Sequence, residues 1–203
     1  MNKSRKGIYQ QILEFIKKHQ LESLKDVALF IIITLVIHFA WRTWANQLHY
    51  MPIKEFMLSA QDWMANGVFG QSAWFVQHIL GIELTLVQES NSMYFSNESY
   101  MYINRSCSGL KQIMQFVILM MVFPGPWKRK LWFIPLGIFI VHLTNLFRII
   151  GLSVVLETVP QHWGFSHDYI FRPLFYVVIF FLWVWWVDKL SKRDSTENKK
   201  AAG

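Results

Sequence analysis

The sequence contains one cysteine, Cys107, in 203 residues, so no internal disulfide can brace the chain. Charge is scarce: 16% of residues are Asp, Glu, Lys or Arg, against 53% hydrophobic and 17% aromatic. Mean hydropathy is +0.25. A soluble domain of this length carries more charge and fewer apolar residues, which excludes a water-soluble globular enzyme. Acids are the rarer sign, 13 against 20 Lys and Arg, for a formal net charge of +7. On a soluble chain that excess would suggest nucleic acid. Here the basic residues sit beside apolar runs, so a membrane accounts for them and no nucleic-acid partner is expected. Internal repeats are lacking, and the one biased tract is the short polar tail after Lys192.

What is present is a series of apolar runs. A basic segment, 1–23, includes Ile8–Lys18, where Ile8, Ile12, Phe15 and Ile16 fall on one side of a short surface helix. Span 1 is expected over 24–45. Its exit, Trp41-Arg42-Thr43-Trp44, offers no small-residue cleavage site, so it reads as retained and not as a signal peptide. Residues 46–106 mix Trp63, Phe69 and Trp74 with Asp62, Asn66 and Gln71, the pattern of amphipathic helices at an interface. Within them, Leu84–Val87 and Tyr100–Ile103 read as short extended segments. Span 2 is expected over 107–123 and stops at Pro124-Gly125-Pro126. A basic loop, 124–130, leads to span 3 over 131–156. A second loop, 157–170, leads to span 4 over 171–188, and the basic tail is 189–203. The expected fold is an all-α integral membrane bundle of about four spans. Interfacial helices and a short extracytoplasmic extended or hairpin segment complete it.

Charge sets the orientation. Fourteen of the 20 Lys and Arg fall in the N-terminal segment through Lys25, in Lys128, Arg129 and Lys130, and in the tail from Lys189. The 46–106 segment has five acids against Lys54 and Arg105. The positive-inside bias therefore puts both termini in the cytoplasm of a multi-pass cell-membrane protein, with 46–106 and 157–170 outside.

On that topology the unusual polar residues converge. Cys107 opens span 2 at its outer end. Arg148 lies about 25 Å along span 3 from Leu131, near the same surface. His167 and Arg172 flank the outer start of span 4. Cys107, Lys111 and Gln115 line one side of span 2; His142, Asn145 and Arg148 line one side of span 3. Polar groups at membrane depth usually face a bundle interior or a wet cavity. A thiolate beside a fixed cation is a strong nucleophile. Arg148 could supply that field or hold an oxyanion, and His167 could carry the proton. Together they suit acyl transfer. The plainer readings are a filler cysteine, an arginine that snorkels to lipid phosphate, a solvated loop histidine, and a His142 that bonds a neighbouring helix. Lys128, Arg129 and Lys130 read as topology determinants. Asn97-Glu98-Ser99 and Asn104-Arg105-Ser106 match the glycosylation pattern, which is common by chance.

Three blocks resemble the archaeosortase/exosortase family over about residues 80–190. They are Cys107-Ser108-Gly109-Leu110 opening a span, Asn145-Leu146-Phe147-Arg148 late in the next, and His167 shortly before the last. The resemblance implies a compact, multi-pass cysteine transpeptidase. Such an enzyme cuts a C-terminal sorting tail from secreted proteins at the outer interface, through a thioester, and passes them to an acceptor. The tail carries a short signature, a transmembrane helix and a basic cluster. By motif, Cys107 would be the nucleophile, Arg148 the transition-state stabiliser and His167 the acid/base. Arg172 would be the alternative third group, with Asn145, Ser108, Gly109 and Arg105 in support. Membrane lipids are expected partners; no metal ion or cofactor is expected. The rival readings are a non-catalytic membrane scaffold or assembly factor, a small transporter, and another membrane thiol enzyme such as an acyltransferase.

Overall fold

A computed structural model describes residues 22–46 and 54–191. The expected surface helix at Ile8–Lys18 and the tail beyond residue 191 lie outside the described residues. The chain divides into two units, 1–46 and 47–203.

In the first unit, α1 runs Glu22–Asn46. Its apolar stretch, Asp26–Thr43, is long enough to cross a bilayer. Ile31, Ile32, Leu35, Val36 and Phe39 are exposed, as a lipid-facing helix requires.

The second unit opens with α2, Lys54–His78. Val68, Phe69, Ser72, Ala73 and Val76 are buried, the spacing of one helical face, while Phe56, Trp63 and Trp74 point outward. Three short strands follow: β1 (Leu84–Val87), β2 (Ser92–Phe95) and β3 (Tyr100–Tyr102). They form an antiparallel sheet in the order β1-β2-β3, with Leu86 opposite Met93 and Met93 opposite Met101. Alternation turns Met93, Phe95 and Met101 inward and Tyr94, Tyr100 and Tyr102 outward. The helices α3 (Leu110–Val122) and α4 (Trp127–Thr158) come next, and then α5 (Arg172–Trp185), preceded by short 3-10, α and π turns from Pro160 to Phe171.

The core beside Cys107 joins Val68, Phe69 and Ala73 of α2 to the inner face of the sheet. Ile149, Leu152 and Leu156 of α4 and Phe171 complete it. A second packed region lies at the other end of α3, where Phe123, Phe133, Trp183 and Trp186 meet edge to face or tilted. Trp186 donates Nε1–H to the Pro124 carbonyl at 3.1 Å. Close helix approach needs glycine there: a Cβ on Gly137 would collide with the ring of Phe116.

Mostly helical and apolar, the protein fits a membrane helical bundle, with several departures from the expected boundaries. Among the described residues, three helical stretches are long and apolar enough to span: Asp26–Thr43, Trp127–Thr158 and Pro160–Asp188. The expected span over 107–123 is instead a 13-residue helix, because Gly109 stands left-handed before it and Pro124 follows it. At about 1.5 Å per residue it is roughly 20 Å long, short of the ~30 Å hydrocarbon core. Half of the expected loop 124–130 is the first turn of α4, which Pro126 caps. The expected loop 157–170 is almost wholly helical, broken only at Val159. Span 4 packs Phe175, Ile179, Leu182 and Trp183 against the bundle and turns Val177 and Phe181 outward, so only one face is left for lipid. Within 46–106 the strands at 84–87 and 100–102 form as expected, and Ser92–Phe95 supplies the unanticipated middle strand.

Candidate active site

Cys107 ends a short 3-10 turn, Arg105–Cys107. Asn104 starts that turn: its Oδ1 accepts from the Ser106 amide at 2.9 Å and from the Ser106 hydroxyl. Both glycosylation-like triplets are turns of this kind, since Asn97 Oδ1 accepts from Ser99 N at 3.0 Å. Ser108 is buried, and its hydroxyl accepts from the Leu110 amide at 3.3 Å. Gly109 then adopts φ +79, and a Cβ there would stand 3.0 Å from Asn145 Nδ2. This close approach lets Asn145 Nδ2 donate to the Cys107 carbonyl at 2.7 Å. Asn145 is 0% exposed, so the turn bearing the thiol is fastened to α4 by a buried bond.

One helical turn beyond Asn145 stands Arg148, only 8% exposed. Cys107 and Arg172 lie within electrostatic reach of its guanidinium. Arg148 Nη2 meets His167 Nε2 at 2.9 Å, and the guanidinium lies 5.9 Å from the Phe175 ring centroid. Arginine can only donate, so His167 Nε2 accepts and the imidazole is neutral with its proton on Nδ1. That proton is donated to Asp168 Oδ1 at 2.8 Å. Asp168 also pairs with Arg172 Nη2 at 3.1 Å. Trp163 stacks on His167, ring centroids 4.9 Å apart. The π turn Ser166–Phe171 presents His167 and Asp168 side by side. Three buried polar atoms here have no partner among the described residues: Arg148 Nε, Asn145 Oδ1 and Trp163 Nε1.

Cys107, Asn145, Arg148, His167 and Arg172 thus belong to one connected cluster, with Ser108 and Gly109 shaping the turn. Arg105 makes a different attachment. Its Nε and Nη2 bond the two carboxylate oxygens of Asp62 on α2, at 2.6 and 2.8 Å. That bond holds the Asp62 carboxyl below its ordinary pKa and raises the Arg105 guanidinium further. His142 bonds Gln71 Oε1 of α2 at 2.9 Å, a helix–helix tie. Lys130, read as a topology determinant, is 3% exposed and donates to the Phe123 carbonyl at 2.7 Å, closing the end of α3. Asp168 and Trp163 were missed in the sequence. The available signals were an acid next to a histidine and four residues before an arginine, and an aromatic four residues before that histidine.

No curated protein and no solved structure matches the chain. A family profile does: that described as transmembrane exosortase (Exosortase_EpsH), over residues 21–190. It covers α1, both ends of the bundle and every member of the cluster around Cys107, and the chain belongs to the transmembrane exosortase family.

Proposed function

We propose that the protein is a membrane cysteine transpeptidase that cleaves a C-terminal tail from secreted proteins at the outer membrane interface. One observation carries this reading: the chain of contacts that runs from the Cys107 turn through buried Asn145 and Arg148 to His167 and Asp168. A filler cysteine needs none of it, and a lipid-snorkelling arginine would not be 8% exposed against a neutral histidine.

The substrate is a secreted polypeptide whose tail carries a short signature, a transmembrane helix and a basic cluster. The helix lies beside the bundle and brings the scissile peptide to the rim. Arg148 leaves His167 Nε2 and turns its guanidinium to the carbonyl oxygen. The freed Nε2 takes the Cys107 proton, and Asp168 stabilises the imidazolium that forms. Cys107 Sγ bonds to the carbonyl carbon, and Arg148 holds the oxyanion in a water-poor setting. His167 returns its proton to the leaving nitrogen as the C–N bond breaks, and a thioester remains on Cys107. An acceptor nucleophile or water resolves it through the same histidine. The positive charge at the termini supports a cytoplasmic location for both and an extracytoplasmic site in the cell membrane.

The test replaces Cys107 with Ala and with Ser and follows maturation of a tail-bearing secreted protein in cells. Loss of processing by both variants, with the enzyme still folded in the membrane, is expected. Full processing by Cys107→Ala would leave a non-catalytic assembly factor as the better account.

A further inference from the structure

Beside the Cys107 turn, a cavity of about 560 Å³ opens between α2, the Asn91 turn and the segment Tyr102–Ser106. Its lining reaches Ser106, one residue before Cys107 in the chain. Buried Ala65 and Ile103 contribute apolar lining. Asp62 and Arg105 also line it, and their paired side chains remain 48% and 51% exposed. Asn91 is fixed on two sides: Nδ2 donates to Asn66 Oδ1 at 2.6 Å, and its carbonyl accepts from Ile103 N at 3.0 Å. The lining is mainly polar, with Ala65 and Ile103 as its apolar part, which suits the backbone and polar side chain of a peptide.

The sheet adds a template. Ile103 N bonds Asn91 O, and Phe95 N bonds Ser99 O. In an antiparallel ladder hydrogen-bonded pairs alternate, so Met101 faces β2 while the backbone N–H and C=O of Tyr100 and Tyr102 face away from it. Among the described residues β3 is an edge strand. Tyr102 also lines the cavity, so this open edge leads into it.

We propose that the cavity is a peptide subsite. An extended segment of the substrate adds beside β3, seats one side chain against the Asp62–Arg105 pair, and delivers the neighbouring peptide bond to Cys107. The paired rim selects that side chain. An acid or a base would have to break the ion pair, whereas an uncharged amide accepts from Arg105 and donates to Asp62. The favoured residue is therefore Asn or Gln. This inference rests on the peptidase reading above and adds the residues that recognise the peptide.

The experiment uses the full-length enzyme in nanodiscs and a positional-scanning library of hexapeptide vinyl sulfones, with Cys107 labelling read by mass. Each rate is divided by that variant's own labelling rate with iodoacetamide, which removes general changes in the thiol. For the wild type, one position should favour Asn or Gln about tenfold. Asp62→Ala frees the guanidinium and should turn that preference to Asp or Glu. Arg105→Ala frees the carboxylate and should turn it to Lys or Arg. The double exchange D62R/R105D keeps a neutral pair and should keep the amide preference, which covers failure of a single variant to fold. Sequence-selective labelling that is identical in all variants would overturn the subsite alone. Absence of peptide labelling in a wild-type enzyme that reacts with iodoacetamide would overturn both the subsite and the peptidase reading.

Discussion

Gly109→Ala tests how tightly the thiol-bearing turn is held. Two costs arise, and both can be worked from the structure. At φ +79 an L side chain loses about 1 kcal/mol relative to glycine. The new Cβ would also stand 3.0 Å from Asn145 Nδ2 and 3.2 Å from its Cγ, so Asn145 must yield by a few tenths of an ångström. Asn145 is fully buried and tied to the Cys107 carbonyl at 2.7 Å, and yielding stretches that bond. A weakened buried hydrogen bond costs about 1 kcal/mol. The total of about 2 kcal/mol, if felt in the transition state, slows processing roughly 30-fold. The assay compares the processing rate of a tail-bearing protein and the thermal midpoint in detergent with those of Gly67→Ala. Gly67 lies in α2 with nothing within 4 Å of its added Cβ, so that variant should be neutral or slightly stabilised. Wild-type processing by Gly109→Ala would refute the claim that the Asn145 bond positions Cys107.

Arg148→Lys keeps the charge but loses the planar fork that reaches His167; processing should fall about 100-fold with little change in the amount of folded enzyme. Gly137→Ala forces a methyl into the ring of fully buried Phe116 and should cost about 1–3 kcal/mol, read as a lower unfolding midpoint in detergent. The Asp62 carboxyl is held low by Arg105, so the ion pair stays formed above the ordinary carboxylate range and is lost only as pH falls through the lowered value. Arg105→Ala should raise that carboxyl toward its ordinary value, measured by carbon-detected NMR titration; an unmoved titration would show that the pair does not form in solution.

Much was legible in the sequence because it depends on quantities that run along the chain. Apolar run length marked α1, α4 and α5, and the order of Cys107, Arg148 and His167 along the spans pointed to three stretches that meet. The short runs Leu84–Val87 and Tyr100–Ile103, set off by Gly, Asn and Ser, revealed two of the three strands. Other features required the folded chain. The bond from Asn145 to the Cys107 carbonyl spans 38 residues and that from Arg148 to His167 spans 19, and no local pattern encodes which atoms meet. Lys130 looked like one more cytoplasmic charge; only the close return of α3 upon α4 buries it against the Phe123 carbonyl. Arg105 looked like a neighbour of the thiol in sequence, yet α2 supplies Asp62 and draws its guanidinium into a pair there. Hydrophobicity and net charge act over whole segments and survive any rearrangement of the contacts. Hydrogen bonds depend on direction and a few tenths of an ångström, so the partners of each polar group were settled only when the helices packed.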